Sequence, residues 1–211
     1  MTTKHKERPI LFSGAMVRAI LAGNKSQTRR VVKPQPPSDI NLKTITTLSS
    51  GYVYAADYSK LTPILADQQR IRWDCPHGQP GDRLWVREAW RTTGDGGRVD
   101  YLPPRDLQPH DVWYEADGSA PGDELTGKLR PSMFMPRWAS RILLELTDVR
   151  VQRLQDVSEV DALAEGVEAG KYAGLDRACA RAYSDLWEQI NGPDSWSANP
   201  WVWAITFTRL T

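Results

Sequence analysis

The stretch WVWAITFTRL (201–210) limits the fold more than any other part of the chain. Trp201, Trp203, Ile205 and Phe207 alternate with Val202, Ala204, Thr206 and Thr208, the period of two that belongs to a strand. A strand of this length carries a row of backbone donors and acceptors that must be met by other strands, in a sheet or a barrel. Candidates for those partners are present. PILFS (9–13) reads as a short buried strand, and QTRRVVK (27–33) as extended chain with Thr28 and Arg30 on one face and Arg29 and Val31 on the other. RLWVREAW (83–90) reads as one half-buried strand and DVWYEA (111–116) as another. RILLELTDVRVQRL (141–154) is the longest such run, and its apolar positions pass from Ile142, Leu144 and Leu146 to Val149 and Val151, a change of phase that calls for a bend or bulge.

Three segments carry the longer helical period instead. Ser13 is placed to cap a helix over 14–22 whose Met16, Val17, Ile20 and Leu21 share a face, and Gly23 stops it. In SEVDALAEGV (158–167), Ser158 and Asp161 form a capping-box pair and Gly166 closes a short helix. From 175 to 190, Leu175, Ala178, Cys179, Ala182, Tyr183, Leu186, Trp187 and Ile190 repeat at three-and-four spacing up to NGP (191–193). Residues 35–70 are polar, with a short strand or hairpin around GYVYAADY (51–58), while CPHGQPGD (75–82), 92–109 and 117–127 have turn and loop chemistry. The order strand, helix, several strands, helices, final strand is neither a βαβ alternation nor a bundle, and it predicts an α+β fold around a mixed, curled sheet.

At 211 residues the chain can bury its own core, and a single domain is expected. Lys and Arg number 27 against 26 for Asp and Glu, so a nucleic-acid site would have to be a local patch. Arginines do gather at 29–30, 70–72, 83–91 and 137–141. Two distant cysteines, an N-terminus without the apolar core of a signal peptide, and no apolar run near the 18 or so residues of a membrane span predict a reduced, cytoplasmic protein without a membrane partner. Nine tryptophans supply core, stacking platforms or interface anchors. Asp74, Cys75 and His77 sit together, but no second ligand pair stands at zinc spacing and no phosphate loop opens a helix, so neither a metal nor a cofactor is expected.

The chemistry concentrates in GNKSQTRR (23–30), which fits G-x-K-x-x-T-x-R. QPGDRLWVRE (79–88), VSEVDALAEGV (157–167) and WVWAITFTRL follow it in order. Together these four stretches resemble the ASCH domain, a β-barrel family related to the RNA-binding PUA domain, and the layout is similar to the larger ASCH proteins of phages and prophages. The resemblance implies a PUA-like mixed β-barrel over 1–211 with flanking helices and two inserted loop regions, at about 35–70 and 91–135. Small bacterial ASCH proteins with this motif are amidohydrolases of N4-acetylcytidine, and the resemblance places their lysine, threonine and glutamate on Lys25, Thr28 and Glu165.

In such a set Thr28 would attack the acyl carbon. Lys25 would take the proton, provided burial or a nearby cation lowered its pKa from about 10.4. Glu165 would orient the lysine or protonate the leaving nitrogen. A binding role stands beside the catalytic one: Arg29 and Arg30 hold phosphate or a base edge while Trp85, Trp90 or Trp113 stacks on a base. The expected partner is a nucleoside or nucleic acid, RNA ahead of DNA. The rivals are a non-catalytic RNA or DNA reader and a phage accessory or assembly protein that uses the Trp-rich insertions as a protein interface.

Overall fold

A computed structural model describes residues 5–36, 46–47, 52–55, 71–94, 97–122 and 126–210. Its elements are β1 (Glu7–Leu11), α1 (Gly14–Leu21), β2 (Gln27–Val31), β3 (Thr46–Thr47), β4 (Tyr52–Ala55), β5 (Ile71–Asp74), β6 (Arg83–Arg87), β7 (Trp90–Thr92), β8 (Val112–Tyr114), β9 (Leu143–Arg153), α2 (Glu159–Ala164), α3 (Ala178–Asn191) and β10 (Trp201–Arg209). Five strands are hydrogen-bonded in the order β1-β6-β9-β10-β2, with β1 parallel to β6 and antiparallel pairing in β6–β9 and β10–β2. The fold is therefore α+β with a mixed sheet. The expected barrel closure is not found: among the described residues β1 and β2 end the order unpaired with each other.

Backbone packing gathers the chain into two compact units. The first comprises Met1–Lys25, Arg83–Glu145 and Arg209–Thr211; the second, Ser26–Asp82 and Leu146–Thr208. In the first, Ser13 Oγ accepts from the Met16 amide and starts α1, and Gly23 ends it at φ 79°, a left-handed conformation that suits glycine. The single strand expected over 83–90 is broken: β6 stops at Arg87 and β7 begins at Trp90, with Glu88 buried at the break. The segment expected as an inserted loop has its own small core, in which Trp90, Leu107, Met135 and Ala139 pack with Val99, Leu102, Val112, Tyr114 and Trp138. Gly127 lies so close to this region that a Cβ there would stand 2.5 Å from Thr92 Oγ1 and 2.6 Å from Asp100 Oδ1.

In the second unit β10 pairs with β2 so that Ala204 faces Arg29 and Ile205 faces Thr28. Trp201 to Ile205 are all buried, so both faces of β10 are covered. The phase change in β9 is present: Leu144 and Leu146 are buried, Thr147 is exposed and Val149 is buried. The α2 capping box forms as read, Asp161 N donating to Ser158 Oγ (3.0 Å) and Ser158 N to Asp161 Oδ2 (3.4 Å). Helix α3 begins at Ala178 rather than 175 because Arg177 is left-handed (φ 53°). The first free amides of α3, Cys179 N and Ala180 N, donate to the Glu159 carboxylate at 2.9 and 3.0 Å. Leu154, Val157, Ala162, Tyr183, Trp187 and Val202 form the core between these helices and the sheet. In the expected 35–70 insertion β4 pairs with β3, and also with β5 just after it; apart from 35–36, β3 and β4, that insertion lies outside the described residues. No helix among the described residues is long and apolar enough to cross a membrane.

Candidate functional site

Ten polar or charged residues are buried among those described, and five of them are Lys25, Gln27, Thr28, Arg29 and Glu165, which marks this motif as the polar interior of the fold. Taking charge out of water is costly unless it is paired, so the pairing decides what the cluster is. In the second unit the short strand β2 starts where Ser26 N donates to Ala164 O (2.8 Å), which brings the C-terminal end of α2 beside the strand. Asp161 and Glu165 are four residues apart and share a helix face. Arg29, with no side-chain exposure, reaches both: Nη1 donates to Glu165 Oε1 at 3.1 Å, and Nη2 lies 3.3 Å from Asp161 Oδ2.

Tyr183, from α3, donates its hydroxyl to the same Glu165 Oε1 at 3.3 Å, and the Arg29 guanidinium lies 5.7 Å from the Tyr183 ring centroid. Burial, reinforced by the negative Glu165, pushes the Tyr183 phenol well above its ordinary pKa, so the ring hydroxyl stays a donor. Burial works against ionisation of Asp161. Hydrogen bonds from Ser158 and Gln27 and the charge of Arg29 outweigh it and hold Asp161 below the usual carboxylate range. Arg150 Nη2 meets Asp161 from the other side at 3.2 Å. Arg30 is half-buried; burial lowers its pKa against the opposing pull of Glu165 and Tyr183.

The second unit thus brings together Arg29 and Glu165, with Thr28 and Arg30 beside them on β2. The sequence reading did not assign Gln27, Asp161 or Tyr183 to the site. Asp161 was visible only as a capping residue and Tyr183 only as part of an apolar helix face. The signal that finds them is the i, i+4 carboxylate pair Asp161/Glu165 on a helix, which needs a buried cation opposite. Lys25 closes the first unit, buried, with its ammonium 5.7 Å from the Phe12 ring centroid.

Trp85 and Trp90 belong to the first unit and are not open platforms. Trp90 has 0% exposure at the centre of its own core, with the Trp138 ring set edge-on at 6.0 Å between centroids and Arg130 5.5 Å from its centroid. Its ring offers no surface to a base. Trp85 is buried too, with Arg87 4.5 Å and Arg137 5.9 Å from its centroid.

The first unit holds a second arginine-centred cluster, at the break between β6 and β7. Arg141 donates from Nε and Nη2 to the two oxygens of Glu88 (3.0 Å each) and from Nη1 and Nη2 to the two oxygens of Asp117 (2.8 and 2.7 Å). Its guanidinium also lies 3.9 Å from the Tyr114 ring centroid, and Tyr114 donates to Ala139 O at 2.9 Å. Burial raises the Glu88 pKa, and Arg141 only partly offsets it.

No family model and no curated protein sequence matches the chain. Among solved structures, the chain is similar to the crystal structure of protein EF3133 from Enterococcus faecalis V583, described under the family DUF984, at 9% identity over 99% of this chain and 82% of that one. The TM-score between the two is 0.40.

Proposed function

We propose that the second unit carries a nucleoside- or nucleic-acid-recognition site of the ASCH, PUA-like kind. In this reading Arg30 is the cation that meets the ligand, and Arg29 is a positioning residue that fixes Glu165. The observation that supports it most is the incomplete pairing of the buried segment. Arg29 Nε and Gln27 Oε1 lie buried without a hydrogen-bond partner among the described residues. A buried polar atom left unpaired costs about 1–3 kcal/mol. Two such atoms beside one ion pair are hydrogen-bonding capacity that no described residue uses, at the place where the resemblance puts the ligand. Titration with a 12-nucleotide single-stranded RNA, the matching DNA and free cytidine tests it. RNA is expected to bind ahead of DNA, and Arg30→Ala to weaken binding about tenfold and flatten its salt dependence by about one unit of slope. Unchanged affinity in Arg30→Ala removes Arg30 from the contact and the reading with it.

A hydrolytic reading is favoured by a separate observation: Thr28 and Glu165, two of the three positions implied by the resemblance, are both buried in the second unit. In this reading Thr28 Oγ attacks the acyl carbon of an N-acylated nucleoside and a base takes up its proton. The C–N bond breaks as that proton moves to the leaving nitrogen, and water then hydrolyses the ester to release the acid. Acetate release from N4-acetylcytidine, lost in Lys25→Ala, is the expected result; a panel of N-acylated nucleosides without turnover leaves recognition alone.

A further inference from the structure

A second candidate binding surface lies wholly within the first unit, on residues that no role has claimed. A groove of about 500 Å³ opens on its surface, walled by Pro103, Pro104, Met133, Phe134, Met135 and Pro136. Met133 and Phe134 are 57% and 53% exposed, a large apolar expenditure for a surface turn. The walls also lack polar groups. Three prolines contribute no backbone N–H, and the carbonyls of Pro103, Pro104 and Pro136 are taken by the amides of Asp106, Leu107 and Ala139 in short 3₁₀ turns. The Met133 carbonyl is taken by Arg87 Nη1 at 3.2 Å.

The charges in the lining are the exception, and they have one sign. Arg87 stacks on Trp85 and keeps a buried Nε without a hydrogen-bond partner among the described residues, and burial lowers its pKa. Arg105 is 85% exposed, with Asp106 at a loose 3.7 Å. Such a lining suits an apolar anchor with negative charge beside it. A nucleobase fits it poorly, because a base edge presents donors as well as acceptors and the lining side chains offer arginine donors and no acceptor beyond thioether sulfur. Methionines add a wall that adapts to the shape of an inserted side chain.

We propose that this groove docks a protein partner through an acidic, apolar peptide segment: an aromatic or leucine side chain enters between Phe134 and the prolines, and flanking carboxylates meet Arg87 and Arg105. It is independent of the recognition site proposed for the second unit. Fluorescence anisotropy of a labelled nonapeptide, Asp-Asp-Asp-Leu-Trp-Leu-Asp-Asp-Asp, against the full chain tests it. The control peptide carries lysine in place of each aspartate, and a 12-nucleotide oligothymidylate is run in parallel.

The acidic peptide is expected to bind at least tenfold more tightly than the lysine peptide. Phe134→Ala and Arg105→Glu, both at exposed side chains, are each expected to weaken it at least fivefold with an unchanged circular dichroism spectrum. Arg105→Glu should also narrow the gap between the two peptides. The proposal is overturned if the acidic peptide does not bind at millimolar concentration, if both peptides bind alike, or if neither variant moves the affinity. Oligothymidylate binding that depends on Phe134 and Arg105, without peptide binding, overturns it in favour of a single-stranded nucleic acid.

Discussion

Each unit places one arginine between two carboxylates and over a tyrosine, and the two clusters differ in how completely they are paired. Arg141 spends two N–H groups on Glu88 and two contacts on Asp117, so both carboxylates receive a fork of donors. Arg29 gives one hydrogen bond to Glu165 and one looser ion pair to Asp161, and Tyr183 adds the second donor to Glu165. The first is a saturated clamp that holds the chain where β6 breaks and β7 begins. The second is deeper, yet it leaves N–H groups unspent. The same residue types therefore build a joint in one place and a candidate site in the other, and the geometry of pairing separates the roles.

The deepest test of that contrast is removal of each arginine. Arg29→Met leaves Glu165 without its buried cation and Asp161 with Arg150 alone, and is expected to cost about 3–5 kcal/mol in urea unfolding. Arg141→Met, in a cluster that reaches solvent through Asp117, is expected to cost about 2–3 kcal/mol. An equal or reversed order would mean that saturation, not depth, sets the cost. Lysine replacements sharpen the comparison, because an ammonium cannot reproduce a double fork. Arg141→Lys should recover little of the loss, whereas Arg29→Lys should recover more, since its two contacts are single; equal recovery counts against the distinction between clamp and site.

Smaller effects come from the tyrosines. Tyr183→Phe removes a hydrogen bond to a buried carboxylate and should cost about 1.5–3 kcal/mol, and Tyr114→Phe, which loses a bond to a carbonyl, about 0.5–1.5 kcal/mol. The smallest effect is in the pH dependence, where the two carboxylates have opposite signs. Asp161 has a folded-state pKa below the unfolded value of about 3.9, so its contribution is complete above that pH and fades as pH falls through the folded pKa. Glu88 has a folded-state pKa above the unfolded value of about 4.3, so its contribution is complete below that pH and fades as pH rises through the folded pKa. Urea midpoints from pH 2 to 7 should therefore show a shallower acid limb in Asp161→Asn and a shallower loss on the rising side in Glu88→Gln.

What the sequence revealed were features set within a few residues. The Ser13 cap, the Ser158–Asp161 box, the phase change in β9 and the strand β10 depend on neighbours along the chain, and local pattern is enough to read them. Features set by distant partners were hidden. Glu88 breaks the strand expected over 83–90 because it turns to meet Arg141, 53 residues away. Residues 91–135 looked like loop because their core is assembled from single apolar residues spaced too widely to show a period. Arg29 read as a ligand-binding cation, and its pairing was hidden because its counter-charges lie 132 and 136 residues on. Helix α3 lost its first turn to Arg177, whose left-handed backbone no periodicity announces.

The way the two units share the chain has a consequence for dissecting the protein. Each is assembled from separated segments, and the chain passes from one to the other within β9, after Glu145, and at the last residue of β10. Neither can be cut out as a continuous fragment, and a stop after residue 145 would deprive the second unit of α2, α3 and β10 while leaving it β2. Domain deletion is thus the wrong genetic tool for this protein. Point variants and circular permutants, which keep every segment, are the forms in which recognition at Arg30 and docking at Phe134 can be switched off one at a time.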